Sequence, residues 1–167
     1  MPFPYLGESI TLNGTTRNGL PGSCITLPSG VTHYEEGGDP NGPPIVLVHG
    51  FSVPYFIFDP TFDFLTKAGF RVLRYDLIGR GYSDRPKTAY KIDLFVRQLR
   101  DLLEALNLSQ VNLLGLSMGG PITASFIDQN PQVVDKFILI DPAGAKRVTL
   151  SLLLKAVKLP IFGELAL

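Results

Sequence analysis

The strongest constraint on the fold of this chain is an alternation of short apolar runs with amphipathic segments between residues 45 and 141. The apolar runs read IVLVHG, FRVLRYD, VNLLGL and KFILID. The first of them, Ile45 to Gly50, is rich in β-branched residues and almost continuously apolar, as strands are when both of their faces are buried. Strands that alternate with helices of this length predict βαβ units, right-handed crossovers and a largely parallel sheet.

The segments between the runs carry helical patterns, and they read PTFDFLTKAG, KIDLFVRQLRDLLEALNL and SMGGPITASFIDQN. In the second segment, apolar residues recur at steps of three and four, which places them on one helical face. These residues are Ile92, Phe95, Leu99, Leu102, Leu103 and Leu106. Near the N-terminus, SCITL and GVTHYEE flank the turn signal PSG, so we expect a β-hairpin there, preceded mostly by loop.

Composition narrows the class of protein. A chain of 167 residues with 45% hydrophobic and 18% charged residues predicts one globular domain. The formal net charge is zero, which argues against nucleic acid or an acidic membrane surface as a partner. Cys24, the single cysteine, excludes an internal disulfide, and we interpret it as a structural residue. The residues after Met1 lack the features of a secretory signal, and no apolar run is long enough to span a membrane, so we expect a cytoplasmic enzyme.

The segment LLGLSMGGP places Ser117 at a corner between a predicted strand and a predicted helix. It contains the pattern G-x-S-x-G, with glycines at 115 and 119. A sharp bend there predicts a strained backbone at the serine and close approach of neighbouring chain at both glycines. Gly120 is expected to add slack, and Pro121 suits the first turn of a helix because its missing N–H costs no hydrogen bond.

Two backbone amides are candidates for stabilising an oxyanion beside Ser117. The N–H of Met118 belongs to the start of the helix, whose positive end faces the serine. The N–H of Phe51 follows the run IVLVHG, whose end is expected at the same edge of the sheet. His49 precedes this turn, and we expect it to brace the loop through hydrogen bonds rather than to transfer a proton.

Four blocks of the chain together resemble the α/β-hydrolase superfamily, specifically its serine esterase and lipase-like branch. They are IVLVHGF, RYDLIGRGYSDRP, LLGLSMGG and FILIDPAG, in the order and spacing of the family. The resemblance implies an α/β-hydrolase fold with Ser117 as nucleophile, Phe51 and Met118 as oxyanion amides, and no metal or cofactor. Because position 117 is serine, relatives with an aspartate nucleophile, such as haloalkane dehalogenases and epoxide hydrolases, are disfavoured. The stretch GRGYSD is interpreted as a turn after the fourth strand, since Asp84 replaces the third glycine of a dinucleotide fingerprint.

The expected base and acid are harder to find. The family order is serine, then acid, then histidine, whereas the two histidines, His33 and His49, both precede Ser117. We expect His33 on the surface or on an edge strand, away from the serine. Asp141 follows the last predicted strand and is a possible acid; its alternative role is to tie the turn DPAG.

The resemblance also implies that family members continue beyond this chain. Residues 1–145 then correspond to the N-terminal part of the hydrolase core, and residues 146–167 to the first helix of a cap. The run KFILI is expected to form an exposed apolar edge strand. We therefore expect a complementary C-terminal segment that supplies the histidine and, unless Asp141 is the acid, the acid as well.

The leading hypothesis is a serine hydrolase that cleaves small-molecule carboxylic esters through an acyl-enzyme on Ser117, and that is inactive without this C-terminal segment. The alternatives are a non-catalytic module or pseudo-enzyme that acts through its open sheet edge, and a C–C hydrolase or perhydrolase on the same scaffold.

Overall fold

The computed structural model of the chain describes residues 11–144, and Leu12–Ala143 form one compact unit. The strands of this described part are β1 (Ser23–Leu27), β2 (Gly30–Gly38), β3 (Pro44–Val48), β4 (Arg71–Tyr75), β5 (Val111–Leu116) and β6 (Val134–Ile140). Its helices are α1 (Gly14–Arg17), α2 (Asp59–Lys67), α3 (Ile92–Ala105) and α4 (Gly119–Gln129), with 3₁₀ turns at Tyr55–Phe58 and Pro131–Val133. The helix predicted after residue 146 lies outside the described residues.

The strands form one sheet in the order β1-β2-β4-β3-β5-β6. The pairs β1–β2 and β2–β4 are antiparallel, whereas β4–β3, β3–β5 and β5–β6 are parallel. The largely parallel sheet with an N-terminal hairpin is therefore confirmed. Among the described helices none is long and apolar enough to cross a membrane.

Strand β3 has both faces buried, as its apolar sequence predicts. Val46 and Val48 are fully buried in a core shared with α3 and α4, while Ile45 and Leu47 pack on the opposite face against Phe58 and α2. Helices therefore cover the sheet on both sides. The central strands end at one edge, where the loops after β3, β4, β5 and β6 begin.

Helix α3 buries the predicted apolar face. Phe95, Leu99, Leu102 and Leu103 are in the core, with Ile92 and Leu106 packed at its margin. Burying side chains of this size contributes roughly 1.5–3 kcal/mol each, which is why the spacing of apolar residues decides the position of the helix. After Ala105 the chain turns at Asn107, which has a φ of 54°.

The sequence predicts one end of the sheet correctly and the other end incorrectly. Strand β6 lies at one end and exposes Phe137, Ile138 and Ile140 by 55%, 53% and 44%. The apolar edge strand is therefore present in the described part of the chain. At the other end lies β1, and the next strand, β2, is paired on both sides. Its His33 is fully buried, so the prediction of a surface or edge histidine is wrong.

Candidate active site

Ser117 occupies the corner between β5 and α4 in a strained backbone conformation. Its φ is 51°, in the left-handed region that non-glycine residues rarely adopt. Three hydrogen bonds hold this conformation. The Ser117 N–H donates to the Ile140 carbonyl at 3.0 Å, and the Ser117 carbonyl accepts from Gly120 at 3.0 Å and Ala143 at 2.9 Å. The corner is thus tied to the end of β6, and its side chain is partly exposed.

The flanking glycines are required because neighbouring backbone lies where a side chain would start. A Cβ on Gly115 would lie 2.6 Å from the Gly119 carbonyl oxygen, and one on Gly119 would lie 2.1 Å from the Val48 carbonyl oxygen. Both distances are far inside ordinary contact. Gly120 was expected to provide slack, but a Cβ there would lie 2.5 Å from Pro142 Cβ, so Gly120 instead makes room for the loop after β6.

The loop after β3 runs directly beside the serine side chain. A Cβ on Gly50 would lie 3.1 Å from Ser117 Cβ and 3.6 Å from Ser117 Oγ. The next residue, Phe51, has a side chain that is 54% exposed. The structure therefore brings Gly50, the residue before Phe51, close to Ser117, the residue before Met118. The oxyanion role of the Phe51 and Met118 amides stays a prediction.

His49 is buried below this loop and both of its ring nitrogens are occupied. Nδ1 lies 2.7 Å from the Gly50 carbonyl oxygen, and Nε2 accepts the Leu77 N–H at 3.0 Å. Since a carbonyl only accepts, Nδ1 carries the proton and the ring is neutral. Burial lowers the pKa of His49 below its ordinary value, which favours the same state. His49 thus braces the loop, as expected, and neither nitrogen is available to Ser117.

His33 is held in the opposite protonation state. Nδ1 lies 3.0 Å from Asp76 Oδ2, and Nε2 lies 2.7 Å from the Pro21 carbonyl oxygen. Both partners are acceptors, so this arrangement is fully satisfied by the imidazolium form, in which both nitrogens donate. Burial by itself lowers the pKa of His33, but the hydrogen bonds to Asp76 and Pro21 outweigh it and raise the pKa above its ordinary value. His33 is therefore a structural partner of Asp76.

Asp76 is the buried centre of this edge of the sheet. Besides His33, its carboxylate accepts the Tyr55 N–H at 3.0 Å and the Tyr82 N–H at 2.9 Å. Tyr55 follows the loop after β3, and Tyr82 lies in the turn after β4. The carboxylate therefore joins the two loops next to the serine corner. The sequence reasoning missed Asp76, although a carboxylate that directly follows a buried strand is a usable signal.

Asp141 lies in the loop that is tied to Ser117. It follows the last residue of β6, has a φ of 44°, and its side chain is exposed. The backbone ties of this loop come from Ile140 and Ala143. A role of Asp141 as the acid stays a prediction.

The described residues also include ionisable side chains and a surface cleft away from Ser117. They contain no cluster of histidine, cysteine and acidic side chains suited to a metal ion. A surface cleft of about 530 Å³ is lined by residues near the C-terminal ends of α3 and α4, including Arg100 and Asn130. Ser117 precedes the opposite end of α4, so at a rise of about 1.5 Å per residue the length of that helix separates the cleft from the serine corner.

The sequence and the structure of this chain are both similar to those of α/β-hydrolases. A sequence profile of the alpha/beta hydrolase fold matches residues 43–159. Lipase 3 of Moraxella sp. is 33% identical over 132 residues, which are 77% of this chain and 41% of the lipase. A solved structure from a study of carboxylesterases of Nitrososphaera gargenis is similar at 35% identity and a TM-score of 0.70, covering 75% of this chain and 47% of that one.

A meta-cleavage product hydrolase from Pseudomonas fluorescens has 28% identity and a TM-score of 0.70, over 81% of this chain and half of its own. This chain therefore spans less than half of the lipase and the carboxylesterase, and half of the third relative.

Proposed function

We propose, since the chain belongs to the α/β-hydrolase family, that it provides the nucleophile of a serine hydrolase acting on small-molecule carboxylic esters. The observation that carries the proposal is the strained Ser117, with φ of 51°, whose Oγ lies beside the backbone of Gly50. A backbone held in this region costs about 1–3 kcal/mol and persists at sites where geometry serves function. The similarity to a lipase and to carboxylesterases supports esters as the substrate class.

The proposed reaction proceeds through an acyl-enzyme. Ser117 Oγ attacks the ester carbonyl carbon while a histidine accepts its proton, and the carbonyl oxygen becomes an oxyanion. The N–H groups of Phe51 and Met118 stabilise this oxyanion. The histidine then returns the proton to the departing alcohol. Water, deprotonated by the same histidine, attacks the acyl carbon. The bond between the acyl carbon and Ser117 Oγ then breaks, the acid leaves, and the histidine returns the proton to Ser117 Oγ.

We further propose that the histidine comes from a segment C-terminal to this chain. His33 and His49 are the two histidines of the sequence, and all four of their ring nitrogens already have partners. The acid comes from the same segment or is Asp141. In this proposal residues 1–145 are the N-terminal part of the core and residues 146–167 begin a cap.

Within residues 11–144, β6 pairs with β5 alone and exposes apolar side chains. This supports the proposed segment, since a strand edge of this kind is a template for a further strand. Hydrolysis of p-nitrophenyl acetate and butyrate tests the proposal. The 167-residue chain alone is expected to hydrolyse neither ester. The protein isolated from its source, whose intact mass shows any additional segment or co-purifying polypeptide, is expected to hydrolyse both, and Ser117→Ala to abolish the activity. Failure of the isolated protein to turn over any ester would contradict the proposal.

A second candidate follows from the similarity to the meta-cleavage product hydrolase. A C–C hydrolase, or a perhydrolase that forms peracids, would use the same serine corner with a different substrate. Turnover of a vinylogous 1,5-diketone in place of the nitrophenyl esters would favour the C–C hydrolase, and peracid formation from acetate and hydrogen peroxide would favour the perhydrolase. Inertness toward all three substrate classes would favour a non-catalytic module that acts through the edge of β6.

A further inference from the structure

Arg80 contacts Phe51 in two ways. Its Nε–H donates to the Phe51 carbonyl oxygen at 2.8 Å, and its Cζ lies 4.5 Å from the centroid of the Phe51 ring. A guanidinium is suited to this pairing because its planar face stacks on an aromatic ring while its edge donates hydrogen bonds. The other end of the guanidinium donates to the Gly79 carbonyl oxygen at 3.2 Å, which fixes its plane.

The two peptide groups on either side of the Phe51 Cα are each held by a different side chain. The peptide between Gly50 and Phe51 is held by His49 Nδ1–H, which donates to the Gly50 carbonyl at 2.7 Å. The peptide after Phe51 is held by Arg80. Rotation about φ or ψ of Phe51 breaks one of these two hydrogen bonds. Both backbone torsions are therefore fixed at the residue whose N–H is the proposed oxyanion donor.

We propose that Arg80 is a positioning residue for the oxyanion site: it locks the Phe51 backbone so that the Phe51 N–H is aimed before substrate binds. This inference rests on the proposed function. It gives a role to the turn GRGYSD, which resembles part of a dinucleotide-binding motif but lacks its third glycine. Pre-aimed donors contribute most to catalysis, because no reorientation is needed as the charge develops.

Hydrogen bonds and close packing hold the turn that contains Arg80 in place. The Arg80 backbone N–H donates to the Leu77 carbonyl oxygen at 2.9 Å, and the Arg80 carbonyl oxygen accepts the Ser83 N–H at 3.1 Å. Gly81 has a φ of 50°, and a Cβ there would lie 2.2 Å from the Asp76 carboxylate. The turn is thus packed against the Asp76 carboxylate. The same carboxylate accepts the N–H of Tyr55, which follows the loop that contains Phe51. Asp76 therefore contacts both the turn that contains Arg80 and the chain that follows the Phe51 loop.

Kinetics on the isolated active protein test the proposal with Arg80→Met, Arg80→Lys and the matched control Arg97→Met, which removes an exposed arginine of α3. Complete loss of one oxyanion donor typically costs about 10²–10³ in rate, so a loosened donor is expected to lower kcat about tenfold. KM should change less than about twofold, because the oxyanion interaction belongs to the transition state. Arg80→Lys is expected to restore part of kcat, and Arg97→Met to behave as the wild type.

A second readout does not depend on catalysis. In ¹⁵N relaxation measurements on the same protein, the backbone order parameters of Phe51 and Ser52 should fall in Arg80→Met, while those of core residues and the melting temperature stay within error of Arg97→Met. If the wild type hydrolyses esters and Arg80→Met keeps its kcat within twofold, the proposal is overturned whatever the spectra show. If the wild type itself is inactive on every ester, the proposed function has failed, and unchanged order parameters at Phe51 would overturn the locking of the loop separately.

Discussion

Replacing Gly119 by alanine tests the packing that forces Ser117 into its corner. The new Cβ would lie 2.1 Å from the Val48 carbonyl oxygen, 2.8 Å from the Val48 carbonyl carbon and 2.9 Å from the His49 carbonyl oxygen. All three atoms are backbone at the end of a fully buried strand, so no flexible side chain can move aside. Relief requires α4 and β3 to separate by about 1 Å, since ordinary contact begins near 3.4 Å.

This separation predicts two effects of Gly119→Ala. Overpacking in a core costs about 1–3 kcal/mol, and the rigid backbone places this variant near the upper end, about 3 kcal/mol in the free energy of unfolding. A displacement of about 1 Å at a reacting group costs about 100-fold in rate. Urea denaturation measures the first effect. The rate at which a fluorophosphonate labels Ser117 in the active protein, under native conditions, measures the second.

Gly14→Ala is the matched control for this experiment. Gly14 is the first residue of α1, and no heavy atom lies within 4 Å of a Cβ built there. Its free energy of unfolding should therefore stay the same or rise slightly, by at most about 1 kcal/mol. If Gly119→Ala unfolds within about 0.5 kcal/mol of the wild type and labels at the same rate, the close approach of α4 to β3 is wrong.

Three further predictions concern the buried titratable side chains Asp76, His33 and His49. Asp76→Asn should lower the free energy of unfolding by about 3 kcal/mol at pH 6, because it leaves the buried imidazolium of His33 without its counter-charge; urea denaturation measures this. The pKa of His33 is raised in the folded protein. The protonated side chain therefore stabilises the fold fully below its ordinary pKa of 6.5, and this stabilisation is lost as pH rises through the folded pKa. His33→Gln should remove that loss from a profile of unfolding free energy against pH. The pKa of His49 is lowered, so the unfolded chain takes up a proton first and stability falls as pH drops below 6.5; a slope that persists in His49→Gln would contradict this assignment.

The parts of the fold that the sequence predicts correctly depend on local chemistry. The apolar face of α3 follows from spacing within one helix, and the burial of β3 follows from its uninterrupted apolar run. The positive φ of Ser117 and the need for Gly115 and Gly119 follow from a strand and a helix joined by a very short turn. The patterns that predict these features lie within single segments of the chain, although the backbone that Gly119 contacts belongs to the distant strand β3.

The parts that the sequence does not reveal depend on pairings between distant residues. His33 is predicted at an edge because a hairpin seen alone has two edges, whereas β4 pairs with β2 and brings Asp76 to His33. Gln98 is a further example: it lies on the buried side of α3 and donates to the Asp76 carbonyl at 2.9 Å and to Thr32 at 3.0 Å. A polar residue on an apolar helical face indicates a buried partner but does not identify it.

The role of Arg80 is hidden for the same reason. Its sequence neighbours predict a turn, which the structure contains, but its contact with Phe51 joins two loops that the parallel sheet brings to one edge. Gly120 likewise gains its role from Pro142, which follows the next strand in the sheet. Loop-to-loop contacts across a sheet edge therefore require the topology before any single residue can be interpreted.

The most direct test of the central claim, that Ser117 is an activated nucleophile, is to locate the adduct of a fluorophosphonate on the active protein by peptide mass spectrometry. If Ser117 is the nucleophile, one phosphonyl group per chain is expected on the peptide that contains Ser117, and no adduct in Ser117→Ala. An adduct on any other residue, or labelling that persists in Ser117→Ala, would contradict it.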